Sequence, residues 1–109
     1  MRAARIAAGL ALVIAVPRPA VADEWRFCLA AAHAEHQVFL SETFRTVTPL
    51  ETLQADFSQE LARRGIGHHE VQCPRGPDRA ALGAMQLNAI SFNRQMGNGV
   101  VRLGWKPAR

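Results

Sequence analysis

The chain has 109 residues, of which 49% are hydrophobic and 20% charged. That composition fits one small folded domain and excludes a disordered or low-complexity chain. Most of the formal charge of +4 belongs to the N-terminus, where Arg2, Arg5 and Arg18 have no acidic neighbour in the first 22 positions; the rest of the chain carries 10 basic against 9 acidic residues, which leaves no basic footprint for nucleic acid.

The N-terminus reads as an export signal. Met1-Arg2-Ala3-Ala4-Arg5 is a basic start, Ile6 to Val16 an uncharged aliphatic run, and Ala20-Val21-Ala22 a small-x-small site before Asp23. A cleaved secretory signal peptide over residues 1–22 is therefore expected, leaving residues 23–109 as one domain exported to the periplasm or outside the cell. The apolar run falls short of the roughly 20 residues that span a bilayer, so no transmembrane segment is expected after cleavage. Cys28 and Cys73 remain in the domain. An even count in an exported chain points to a disulfide, and without a Cys-x-x-Cys spacing thiol redox chemistry has no motif. Closing a loop of this length stabilises by roughly 4 kcal/mol through the unfolded chain.

Trp25 to Ala31 alternates, with Trp25, Phe27 and Leu29 on one side and Arg26 and Cys28 on the other, which is strand patterning. Ala32 to His36 is a connection, and Gln37 to Phe44, rich in β-formers at its start, completes a hairpin. Thr48-Pro49-Leu50-Glu51 reads as a capping box with proline at the first helical position. Leu50, Leu53, Phe57 and Leu61 repeat at helical steps, Glu60, Arg63 and Arg64 lie off that stripe, and Gly65 offers a left-handed stop. His68 to Cys73 is a third strand, ended by Pro74, and Arg75-Gly76-Pro77 a turn. Asp78 caps a second helix from Arg79 to about Met96, with Leu82, Met85, Ala89, Phe92 and Met96 as its apolar stripe. Gly83 inside it would allow close approach to the sheet. Gly97-Asn98-Gly99 stops the helix, and Val100 to Trp105 is the last strand.

The expected fold is α+β, in the order β-β-α-β-α-β, with both helices on one face of a mixed sheet and one disulfide. A right-handed crossover through the first helix makes the third strand parallel to the second and antiparallel to the first beside it. The disulfide then sets a register in which paired residue numbers sum to 101, as 28 and 73 do. His33 would face His68, and Ala32 would face His69.

That register gathers His33, His36, His68 and His69 with Glu70 at one end of the sheet. Neutral imidazoles with a carboxylate suit zinc or copper, so a metal-binding or metal-delivery protein is one reading. The arrangement matches no established metal motif. In the same ladder the apolar sides of the first and third strands disagree, which calls for a bulge or another register. Trp25, Arg102, Trp105 and Lys106 form a second candidate surface, an aromatic and basic patch for a protein or glycan of the cell envelope. No complete catalytic constellation is present: there is no Gly-x-Ser-x-Gly, and Gly65-Ile66-Gly67 precedes a strand and not a helix. The chain therefore reads first as a noncatalytic binding domain without a required cofactor. A small hydrolase or lyase is the third reading, and needs a pocket lined by Glu42, Glu70 or the histidines.

Overall fold

The computed structural model describes residues 23–67 and 69–108, with His69 described by its backbone. The expected signal peptide, residues 1–22, lies outside the described residues. The expected order is present, with each of the first three strand regions broken in two. The first holds β1 (Glu24–Arg26) and β2 (Leu29–Ala32), and a 3-10 turn at His33–Glu35 follows. The second holds β3 (Gln37–Leu40) and β4 (Phe44–Thr46), before helix α1 (Leu50–Arg63). The third holds β5 (His69–Gln72) and β6 (Arg75–Gly76), followed by helix α2 (Arg79–Gln95) and β7 (Gly99–Arg102).

Two sheets result, ordered β4-β1-β6 and β5-β2-β3-β7. All pairs are antiparallel except β3 with β7. The expected register holds on both sides of the disulfide: Trp25 faces Gly76, Leu29 faces Gln72 and Ala30 faces Val71. Cys28 and Cys73 are bonded between these pairs, with Cα atoms 4.0 Å apart. The ladder to the second strand region slips by one residue, since Arg26 faces Phe44 while Leu29 faces Leu40. Ser41 closes that slip. Its Oγ accepts from the Cys28 amide at 2.7 Å and donates to the Glu42 carbonyl at 2.7 Å. Its own amide donates to the Cys28 carbonyl at 2.9 Å.

The helices do not share a face, which corrects the expected layering. Leu53, Phe57 and Leu61 of α1 pack with Cys28, Ala30, Ala32, Phe39, Phe44 and Cys73. Leu82 and Ile90 of α2 pack with Phe27, Val38 and Leu40. Neighbouring strand residues point to opposite sides, so the sheet is buried between two helical layers. The cause is topological. The α1 connection carries the chain from the second strand region across to the third, and α2 carries it back past the second to β7. Crossovers of one hand that run in opposite directions cover opposite faces. Two-sided burial also removes the apparent conflict between strand faces, because neither side needs to be polar.

The helix ends are mostly as the sequence implies. Asp78 accepts from the Ala81 amide at 2.8 Å. After α1, Gly65 has φ +74°, and the Gly65 and Ile66 amides bond back to Ala62 and Leu61, both at 2.9 Å. After α2, Gly97 has φ +88°, and its amide and that of Asn98 repeat the motif on Arg94 and Asn93. The capping box at Thr48 is not formed. Pro49 is extended and is itself the cap residue, without a side-chain bond, so Glu51 falls one position short of the capping-box site. The Thr48 amide donates instead to Thr46 Oγ1 at 3.0 Å.

Helix α2 is turned one residue from its expected stripe. Leu82, Gln86 and Ile90 are buried, while Met85, Phe92 and Met96 are exposed. The buried Gln86 donates Nε2 to the Ser41 carbonyl at 3.1 Å, which anchors this orientation. The close approach expected at Gly83 occurs at Gly76, where a Cβ would lie 3.2 Å from Leu82.

Candidate functional site: the uncovered end of the sheet

Helix α2 begins at Arg79, so it covers Phe27 but leaves Trp25 half-buried at the sheet end. Trp25 is central in its short sheet, with Arg45 facing it on β4 and Gly76 on β6. Residues directly opposite share a face, so Arg45, Trp25 and Gly76 form one row. The Arg79 guanidinium sits 6.0 Å from the centroid of the Trp25 ring, a cation–π contact with the indole. The chain after β7 returns to the same place. Leu103 donates its amide to Leu40 and Glu42 donates to the Trp105 carbonyl at 2.8 Å, which brings Lys106 beside Trp25.

Trp25, in the middle of the row, lines two concavities, one towards Arg45 and one towards Gly76. One, of about 420 Å³, is lined by Trp25, Glu42, Arg45, Arg79 and Lys106 among others. Three cations there face one carboxylate, and Arg45 also pairs with Asp23 at 3.2 Å. The other, of about 430 Å³, is lined by Asp23, Glu24, Trp25, Arg75 and Gly76. The surface is therefore an aromatic ridge with a basic hollow on one side and a more acidic one on the other.

Of the four residues expected to form a partner surface, the structure brings Trp25 and Lys106 together. Trp105 lies in the opposite layer, with ring centroids 5.3 Å from Phe57 and 6.4 Å from Phe44, and belongs to the α1 core. Arg102 is exposed at the end of β7, opposite Leu40. Arg45 and Arg79 were not legible as site residues from local pattern. The 101 register does place Gly76 opposite Trp25, with Arg79 three residues on, and that was the available signal.

The histidine end has a different outcome. His33 and His36 are exposed on the 3-10 turn and its cap, and His36 has φ +55°. The His36 carbonyl accepts from the Gly99 amide at 2.7 Å. Glu70 is exposed with φ +44° and forms a bulge, so His69 pairs with Ala31 and not with Ala32. His68 and the His69 side chain lie outside the described residues. Among the described residues no group of three or more His, Cys, Asp or Glu is placed to hold a metal ion. A hollow of about 200 Å³ near this end is lined by Glu35, Gln37 and the Gly65–Gly67 turn.

No family model matches the chain, and neither a curated protein nor a solved structure matches it. Among the described residues no helix is long and apolar enough to cross a membrane.

Proposed function

We propose that this chain is a noncatalytic, exported domain that binds a protein or glycan partner in the periplasm or outside the cell. The observation that carries this reading is the Trp25 ridge, with Arg79 against its ring and Arg45 and Lys106 beside it. A half-buried indole offers a large, rigid contact area at low entropic cost, and its cationic rim adds polar selectivity. The Cys28–Cys73 disulfide agrees with an oxidising compartment. The test is binding of the oxidised protein to separated envelope protein and glycan fractions. Trp25→Ala is expected to abolish retention, while the double substitution His33→Ala with His68→Ala leaves it intact. Equal retention of Trp25→Ala would sink this reading.

A second reading is metal binding through His33, His36, His68, His69 and Glu70. It is favoured by the pairing of Ala31 with His69, which sets the end of β2 beside the start of β5.

A further inference from the structure

The other face of the same sheet end carries a further concavity with its own chemistry. Arg26 follows Trp25 and so points to the α1 side. Its side chain is only 10% exposed. Nη1 donates to the Cys73 carbonyl at 2.5 Å and Nη2 to Glu24 at 2.7 Å, while Nε is buried with no acceptor among the described residues. The second Glu24 oxygen accepts from Arg75 at 2.7 Å. One carboxylate thus serves two guanidinium groups, and the cluster keeps a net positive charge. Arg26, Arg75, Gln54 and Gln72 line a cleft of about 530 Å³, with Leu50 and the Cys73-Pro74 segment as its apolar wall.

A guanidinium cannot shed its proton and has donors in a fixed fork. Nε is closed to solvent, but Nη1 and Nη2 each carry a second hydrogen beyond the one given to Cys73 or Glu24, and donors set this deep favour an added acceptor. Arg75 can supply the mobile half of such a site. Its side chain is 70% exposed, and ion pairs at that exposure contribute little, so exchanging Glu24 for an incoming anion costs little. A planar carboxylate matches the fork of each arginine, and the Leu50 and Pro74 wall suits the carbon body of a small acid. We propose that this cleft binds a small carboxylic acid, with Arg26 as the fixed and Arg75 as the mobile cationic partner. The site shares only Arg75 with the hollows beside Trp25, and the proposal does not depend on the partner-binding reading.

Citrate is the probe, titrated calorimetrically into the oxidised protein at low ionic strength. Saturable binding with a dissociation constant of about 1 mM or tighter is expected. Arg75→Ala changes a largely exposed side chain, leaves the fold in place, and is expected to weaken citrate by about tenfold or more. Arg26→Lys keeps the charge and loses the fork, with a similar loss expected. Arg79→Ala, on the Trp25 face, is expected to leave citrate binding unchanged. Absence of saturation, equal affinity in Arg75→Ala, or equal binding of sulfate at matched ionic strength each overturns the carboxylate site.

Discussion

Removing the Cys28–Cys73 bond, by replacing both cysteines with alanine, is the most quantitative perturbation that the fold offers. The bond spans a sequence separation of 45 and lies between ladder pairs that keep one register on both sides of it. The native arrangement therefore needs no rearrangement when the bond is absent, and the main effect falls on the unfolded chain. Loop-closure entropy for that span gives about 4 kcal/mol at 25 °C. A further 1 kcal/mol or so is expected from the lost sulfur atoms, because both cysteines are buried in the α1 core. A domain of this size has roughly 4–13 kcal/mol in total, so the variant sits near the threshold of folding. Urea unfolding of the oxidised protein and the double variant is the assay. The midpoint is expected to fall steeply, with a larger m-value in the variant because its unfolded chain is more open. A loss below about 1 kcal/mol with an unchanged m-value would refute the entropic argument.

Three other outcomes follow from the packing and the charges. Gln86→Ala leaves the Ser41 carbonyl without its partner, so a loss of about 1–3 kcal/mol in urea unfolding is expected; Met85→Ala should cost much less, and the reverse ranking would mean that α2 is turned the other way. Glu60 is held below the usual carboxylate range by hydrogen bonds from Arg64 and then Arg63, and Glu24 by those from Arg75 and then Arg26. Each folded carboxylate takes up its proton less readily than the unfolded one, so this stability is present above about pH 4.5 and is lost as pH falls through the folded-state value. Glu60→Gln should flatten acid unfolding over that range, and an unchanged acid profile would contradict the pairing. Zinc or copper, added at 100 times the dissociation constant under the metal reading, should add about 2.7 kcal/mol to thermal stability. The gain should be seen at pH 7.5, fade at pH 5.5 as imidazoles protonate, and vanish in His33→Ala with His68→Ala; no gain at pH 7.5 removes that reading.

Much of the scaffold was legible because it is written in local chemistry. Asp78 before α2, and Gly65 and Gly97 after α1 and α2, mark helix ends by cap geometry that few residues can satisfy. The register was legible because one covalent bond between adjacent strands fixes the pairs beside it, from Trp25–Gly76 to Ala30–Val71, and was lost only beyond the Glu70 bulge. The layering was not. Cys28, Ala30 and Ala32 are small and uncharged, and they read equally well as a solvent face or as a seat for α1. Gln86 reads as a surface residue until the Ser41 carbonyl stands opposite it. The Trp25 surface was half legible for a related reason. Two tryptophans near the ends of one domain suggest one patch, and only their assignment to opposite layers separates Trp25 from the core residue Trp105.

The broken ladder at Ser41 has a dynamic consequence. The strands on the Trp25 side, β1, β4 and β6, have two or three residues each, whereas the central pair β2 and β3 has four and is buried by a helix on either side. Amide hydrogens of Trp25 and Arg45 should therefore exchange through small openings of the short sheet, while those of Ala30 and Phe39 wait for global unfolding. The disulfide stands at the seam as a tether, limiting how far the short sheet can swing. Trp25 and Arg26 thus lie on a segment that can breathe without releasing the fold, and a ligand on either face would register first as slowed exchange there.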